Sequence, residues 1–144
     1  MAIDGFQPCL QICMDQGITS TLLIHEAKIS GENTVTVWGT GAPKREFLHS
    51  DDLASACLFL LENYDDGVPI NVGTGVDVSI AGLADLVGEV VGFSGQIKWD
   101  ASKPDGTPRK LLDTSRLGEL GWKPKITLEN GLEATYEWFL SQQI

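Results

Sequence analysis

Residues 38–52 read Trp-Gly-Thr-Gly-Ala-Pro-Lys-Arg-Glu-Phe-Leu-His-Ser-Asp-Asp. The β-branched run at residues 35–38 leads into this segment and predicts a strand. The loop after the strand carries two glycines, a proline and two cations. Glycine lets backbone N–H groups approach an anion, and the Arg45 guanidinium can bind a phosphate through two parallel hydrogen bonds. The segment therefore predicts a ligand-binding loop, with a tight turn between two strands as the alternative.

Helices are predicted on both sides of this loop. Ser50, Asp51 and Asp52 are typical of an N-cap and first turn, and a helix is predicted from there to Asn63. An apolar stripe recurs along it at three- and four-residue spacing: Leu53, Ala56, Cys57, Leu60 and Leu61. Upstream, residues 21–29 predict a helix with a looser apolar face, formed by Leu22, Leu23, Ala27 and Ile29.

Downstream of residue 63, short strands alternate with helices. Strands are predicted at residues 70–72 and 97–100. Ser79 and Gly92 are expected to cap the two ends of one helix, and Thr127 is expected to cap the last helix. A short helix is predicted between these two, at residues 114–120, before Gly121. This alternation indicates an α/β fold with about three short strands flanked by helices.

Length, charge and cysteine content narrow the class of protein. The chain has 144 residues, the size of one domain, and a net charge of −10, which argues against nucleic acid or a membrane surface as partner. No apolar run approaches the roughly 20 residues that span a bilayer. Cys9, Cys13 and Cys57 are odd in number and form no metal-ligand pattern, so we expect a cytoplasmic protein without a metal site.

A second cationic loop lies at residues 100–110. It places Lys103, Arg109 and Lys110 beside Asp105 and Thr107 in an otherwise acidic chain. A solvated surface loop is one interpretation. The other is a binding site in which the cations hold a pyrophosphate and Asp105 and Thr107 bind hydroxyls of a sugar or base. Together with the Arg45 loop, it would suit a nucleotide-sugar diphosphate.

Several other features are weaker indicators. Gly73-Thr74-Gly75 lacks the third glycine of a dinucleotide-binding loop and is more typical of a turn. His25 and His49 stand in no catalytic or metal-binding arrangement, so a structural role is expected for each. Trp38 and Trp99 end predicted strands and are expected either to pack in the core or to stack on a ring.

Three motifs together resemble one family of enzymes. They are Val-Thr-Val-Trp-Gly-Thr-Gly-x-Pro-x-Arg-Glu-Phe-Leu-His-x-Asp-Asp-Leu-Ala, Ile-Asn-Val-Gly-Thr-Gly and Asp-x-Ser-Lys-Pro-Asp-Gly-Thr-Pro-Arg-Lys-Leu-Leu-Asp. Residues 24–142 resemble the C-terminal part of the GDP-L-fucose synthases, which are extended short-chain dehydrogenases. The resemblance implies NADPH-dependent 3,5-epimerisation and 4-reduction of GDP-4-keto-6-deoxymannose. It also implies that Trp38, Arg45 and the loop at residues 105–110 bind the GDP-sugar, and that the complete enzyme forms dimers.

The chain departs from this family in its first residues. The family's Tyr-x-x-x-Lys pair is missing, and so is its glycine-rich NADP loop. An ungapped extension upstream puts Asp15 where the family has an epimerisation histidine, and Leu23 where it has a substrate-binding arginine. We therefore predict a divergent segment at residues 1–23 and a nucleotide-sugar-binding domain at residues 24–144, a small substrate-binding lobe without the Rossmann half.

The expected function follows from this division. NADP(H) is expected in the complete enzyme but not on this chain alone, and no catalytic residue is assigned. The assigned residues all bind substrate: Trp38, Arg45, Lys103, Asp105, Thr107, Arg109 and Lys110. Three alternatives stay open at this point: a non-catalytic nucleotide-sugar-binding module, a part of a related nucleotide-sugar epimerase or dehydratase, and a piece without independent function.

Overall fold

A computed structural model describes residues 17–142, with side chains described from Thr21 onward. Within that range the helices are α1 (Gly17–Ser30), α2 (Ser50–Asn63), α3 (Ile80–Val91), α4 (Ser115–Glu119) and α5 (Leu128–Gln142). The strands are β1 (Thr34–Trp38), β2 (Lys44–Glu46), β3 (Asp77–Ser79), β4 (Gln96–Asp100) and β5 (Arg109–Lys110). The α/β class expected from the sequence is confirmed.

The larger core is built around a parallel pair of strands. β1 pairs with β4 in register from Thr34↔Gln96 to Trp38↔Asp100. α1 and α3 bury their apolar side chains together with those of β1 in one cluster: Ile24, Ala27, Val35, Val37, Leu83, Val87 and Val91. Because the strands are parallel and in register, the segments that follow Trp38 and Asp100 leave the sheet side by side.

A second, polar sheet brings the two cationic loops together. Its order is β3-β2-β5, with β2 antiparallel to β3 and parallel to β5. Lys44 pairs with Ser79 on one side and with Arg109 on the other. The segments that carry Arg45 and Arg109 are therefore neighbouring strands, although they lie far apart in the sequence.

The second core joins α2 to the segment before α5. Ala56, Leu117 and Trp122 are buried together, and the indole Nε1 of Trp122 donates to Ser55 Oγ at 2.9 Å. The buried Asp52 carboxylate accepts hydrogen bonds from the backbone N–H groups of Lys125 and Ile126 at 2.9–3.1 Å. These contacts fix where α2 begins relative to the segment before α5.

Most helix predictions are confirmed, and one cap is corrected. Ser79 Oγ accepts from the N–H of Gly82 at 3.0 Å, and Gly92 closes α3 in the left-handed conformation with φ of 73°, both as expected. At the start of α2, however, the cap is His49 rather than Ser50, because His49 Nδ1 accepts from the N–H of Asp51 at 3.2 Å. The expected structural role of His49 agrees with this contact.

The strand predictions are less accurate. The strands at residues 35–38 and 97–100 are confirmed, but residues 70–72 form no strand. β2, β3 and β5 were not expected, since each is only two or three residues long and mostly polar. They exist through pairing with one another, which a local pattern does not reveal.

Two predicted helix faces are also corrected. In α2, Ala56 is buried as expected, but Cys57 is exposed and Leu61 is 83% exposed. In α1, the buried apolar residues are Ile24 and Ala27, whereas Leu22, Leu23 and Ile29 are exposed. The buried stripe of each helix is set by what it packs against, and both sequences are apolar over a wider arc than their partners cover.

The predicted boundary between residues 23 and 24 falls inside α1, which runs without interruption from Gly17 to Ser30. Cys9, Cys13 and Asp15 lie outside the described residues.

Within residues 17–142, no helix is long and apolar enough to cross a bilayer. In the same range, no group of three or more His, Cys, Asp or Glu side chains is placed to hold a metal ion.

Candidate functional site

The loop between β4 and β5 folds back onto the end of β1 through Asp105. The backbone N–H of Thr40 donates to Asp105 Oδ1 at 2.8 Å, and the Thr40 hydroxyl donates to Oδ2 at 2.5 Å. Gly39 N–H donates to the carbonyl of Asp100 at 3.0 Å and so keeps the two chain segments paired beyond the sheet. Asp105 is thereby held beside the carboxyl ends of two parallel strands, where open α/β sheets bind ligands.

Trp38 and Lys103 form the outer end of this arrangement. The indole of Trp38 is 69% exposed, and Lys103 Nζ lies 5.3 Å from its ring centroid. This is a cation–π distance. An exposed indole next to an ammonium offers a ligand both a stacking face and a positive charge. The alternative that Trp38 packs in the core is wrong.

Arg45 lies against the backbone of the same loop. Its Nη1 donates to the carbonyls of Lys44 and Thr107, both at 2.7 Å. A Cβ built on Gly106 would come within 3.3 Å of its Nη2, so the guanidinium and the Gly106 backbone are in close contact. Among the described residues, no carboxylate forms an ion pair with Arg45, and its charge therefore stays available to an anion.

Arg109 lies on the other face of the polar sheet. Arg45 pairs with Lys110, and Lys44 pairs with Arg109. Paired residues share a face and successive residues alternate, so Lys110 is on the face of Arg45 and Arg109 is not. The expectation that Arg45 and Arg109 grip one diphosphate is therefore corrected: the two loops meet, but the two arginines point to opposite faces.

Arg109 is also engaged by a carboxylate. Its Nε lies 2.5 Å from Asp77 Oδ2 and its Nη2 lies 3.3 Å from Oδ1. This bidentate pair links β5 to β3 across β2, on the face that also carries Lys44. Arg109 is accordingly placed to hold the three strands together, which in turn fixes Thr107 under Arg45.

The Arg109 guanidinium lowers the pKa of the Asp77 carboxyl below its ordinary value of 3.8, chiefly through their hydrogen bond. Because the folded pKa is the lower one, the stabilisation is complete above pH 3.8 and is lost as the pH falls through the folded pKa. In Arg109→Gln we expect the Asp77 pKa to rise toward 3.8 in a carboxyl NMR titration. The Asp100 pKa, which the Ser102 hydroxyl lowers, is the control and should not move. An unchanged Asp77 pKa would contradict the pairing.

Glu46 has a structural role beside the candidate site that the sequence did not indicate. Its carboxylate accepts from the N–H groups of Gly75 and Leu112, at 2.5 and 3.0 Å, and from the Thr74 hydroxyl at 3.3 Å. The Gly73-Thr74-Gly75 turn is thus anchored by a carboxylate, which would repel a pyrophosphate there. The expected turn is confirmed. In the sequence, only its position next to Arg45 points to a role for Glu46.

His25 has the structural role expected of it. It is buried, and its Nδ1 lies 3.0 Å from the hydroxyl of Tyr136, which joins α1 to α5. Its ring also makes an edge contact with Phe139 at 5.0 Å between centroids. Both contacts contribute to the packing of α1 against α5.

Comparison with known proteins relates the chain to a family of enzymes. Residues 16–73 match the model of the NAD dependent epimerase/dehydratase family. GDP-L-fucose synthase 1 of Arabidopsis thaliana is 59% identical over 116 residues, which cover 81% of this chain and 36% of that protein. Residues 16–73 belong to the NAD dependent epimerase/dehydratase family.

Two further similar proteins show how much of a full-length relative this chain represents. GDP-L-fucose synthase of Escherichia coli K12 is 52% identical over 128 residues, covering 83% of this chain and 40% of that enzyme. A crystal structure of a GDP-L-fucose synthetase from Naegleria fowleri matches with a TM-score of 0.80 and 26% identity, over 87% of this chain and 39% of the other. The chain therefore spans little more than a third of the length of these relatives.

Proposed function

We propose that the face carrying Arg45 binds the nucleotide end of a GDP-sugar. The observation that carries this proposal is the meeting of both cationic loops beside the ends of β1 and β4, with Arg45 lying on the backbone of residues 106–107. Half of the chain's 10 Lys and Arg residues lie in these two loops: Lys44, Arg45, Lys103, Arg109 and Lys110. In a chain of net charge −10, that concentration favours a local anion-binding function.

The order of groups along the loop matches the order of groups in a nucleoside diphosphate. Trp38 offers a stacking surface for the base, and Arg45 supplies a planar guanidinium for the diphosphate. Asp105 is held by Thr40, which lies between Trp38 and Arg45 in the sequence, and its carboxylate suits the hydroxyls of a ribose. Lys103 and Lys110 add positive charge, and Thr107 contributes its hydroxyl. Arg109 supports the site from the other face through Asp77.

The whole enzyme is proposed to carry out the reaction implied by the GDP-L-fucose synthases. Two epimerisations beside a ketone proceed through enolates, and hydride from NADPH then reduces the ketone. The residues described here would contribute remote binding energy that positions the sugar for this chemistry. A cytoplasmic location and a dimer stay predictions.

The Gly73-Thr74-Gly75 turn is a poor match for the pyrophosphate of the cofactor. The solved Naegleria fowleri synthetase has a form bound to NADP. In this chain, the amide of Gly75 is occupied by the Glu46 carboxylate, and a Cβ on Gly73 would lie 2.5 Å from Glu46 Oε1. The Glu46 carboxylate thus holds the Gly75 amide and would repel a pyrophosphate at this turn. We therefore assign no step to this chain through NADP(H) and expect no turnover by the chain alone.

Two measurements on the 144-residue chain test the proposal. Titration calorimetry should show binding of GDP and GDP-fucose, with weaker binding of UDP as the control for the base. NADPH oxidation with GDP-4-keto-6-deoxymannose should stay at the background rate. Binding without turnover supports a GDP-sugar-binding part, whereas turnover would contradict the assignment of no catalytic residue. Absence of heat with both GDP ligands would contradict the binding function.

A further inference from the structure

We propose that Thr40 is a positioning residue that orients the Asp105 carboxylate toward the hydroxyls of a bound ligand. This inference rests on the proposed function, because it takes Asp105 as a ligand-binding group. Neither the motifs nor the family resemblance assigned a role to Thr40. The residue lies 65 positions from Asp105 in sequence, and the fold brings them together.

The two hydrogen bonds from Thr40 fix the plane of the carboxylate. The backbone N–H reaches Oδ1 at 2.8 Å, and the side-chain hydroxyl reaches Oδ2 at 2.5 Å. An ionised carboxylate has about four acceptor positions, two on each oxygen. Thr40 therefore engages both oxygens and leaves further acceptor capacity on each of them. Two adjacent hydroxyls of one ligand could use these remaining positions.

A neighbouring hydrogen bond sets the direction of the Thr40 hydroxyl. The backbone N–H of Ala42 donates to Thr40 Oγ1 at 3.2 Å. Since Oγ1 accepts from Ala42, its own proton is free to point at Asp105. The Ala42 N–H thus donates to Thr40, and the Thr40 hydroxyl in turn donates to the Asp105 carboxylate.

Gly39 provides a separate indication that the backbone is shaped for this contact. Its φ is +89°, which favours glycine, and a Cβ at this position would lie 2.5 Å from Asp105 Oδ1. Any side chain here would displace the carboxylate. The turn thus keeps clear the space that Asp105 occupies.

The electrostatics agree with an oriented, ionised carboxylate. The hydroxyl of Thr40 lowers the pKa of Asp105 below its ordinary value of 3.8, and the Thr40 backbone N–H contributes in the same direction. Asp105 is therefore an acceptor at neutral pH, as needed for binding hydroxyl groups.

The test compares two variants. Thr40→Val keeps the shape of the side chain and loses the hydroxyl, whereas Thr40→Ser keeps the hydroxyl. GDP and 2′-deoxy-GDP serve as probes in calorimetry on the full chain. We expect Thr40→Val to raise the Kd for GDP by about tenfold and to leave that for 2′-deoxy-GDP nearly unchanged. Thr40→Ser should behave as the wild type. In parallel, a carboxyl NMR titration should show a higher Asp105 pKa in Thr40→Val only.

The outcomes separate this inference from the proposed function. If the wild type binds GDP and Thr40→Val binds both probes as the wild type does, Thr40 has no positioning role. If Thr40→Val weakens both probes equally, its effect is structural and the inference is overturned. If the wild type binds neither probe, the proposed function fails. An Asp105 pKa that is the same in the wild type and in Thr40→Val would contradict the hydrogen bond from the Thr40 hydroxyl, whether or not GDP binds.

Discussion

Arg45→Ala is expected to raise the Kd for GDP by about 100-fold, because a guanidinium makes two charge-assisted hydrogen bonds to a phosphate. The side chain is already held by the carbonyls of Lys44 and Thr107, so little ordering is needed when an anion binds. Arg45→Lys should recover only part of the affinity, since an ammonium lacks the planar pair of donors. Calorimetry with GDP measures the Kd of the wild type and of both variants.

Arg109→Ala is the matched control for this prediction. It removes the same charge from a neighbouring strand, but from the face where Asp77 engages it. We expect its Kd for GDP to rise by no more than about threefold, the effect of a loosened β5. Equal losses in the two variants would show that both arginines reach one diphosphate, and the opposite-face arrangement would then be wrong.

Asp52→Ala is expected to lower the free energy of unfolding by about 3 kcal/mol. The carboxylate is only 3% exposed and accepts from the backbone N–H groups of Lys125 and Ile126. Alanine leaves these two donors without their partner at the junction between α2 and the segment before α5. The same change also removes a negative charge from the first turn of α2. Urea denaturation monitored by tryptophan fluorescence measures the loss.

Asp51→Ala provides the control, since its side chain is 80% exposed and occupies the same helical turn. It loses the same dipole interaction without exposing any buried donor, so a loss below about 1 kcal/mol is expected. If the two variants lost equal stability, the hydrogen bonds of Asp52 would contribute nothing beyond the charge of a first-turn carboxylate.

Local signals in the sequence account for what could be predicted of the fold. Ser79 and Gly92 mark the ends of α3 because both act on their own turn of backbone. β2 and β5 could not be predicted in the same way, since two or three polar residues become a strand only when a distant partner lies beside them. The exposure of Leu61 could not be predicted, because the apolar arc of α2 is wider than the surface that covers it.

The residue types of the candidate site could be predicted from the sequence, but their arrangement could not. Residue types alone indicated an anion site formed by the Arg45 loop and the loop at residues 100–110. Which face each cation occupies depends on register, and a shift of one residue would exchange Arg109 with Lys110. The contacts of Thr40 and Glu46 could not be predicted, because their partners are distant in the sequence.

The most direct test of the proposed site is a map of backbone amide chemical shifts during titration of the isotope-labelled chain with GDP. Binding at the Arg45 face should move the amides of residues 38–41 and 103–107, while those of Asp77 and Ser79 stay in place. Shifts centred on Lys44, Asp77 and Arg109 would place the anion on the opposite face. That result, or a spectrum unchanged by GDP, would contradict the proposed binding site.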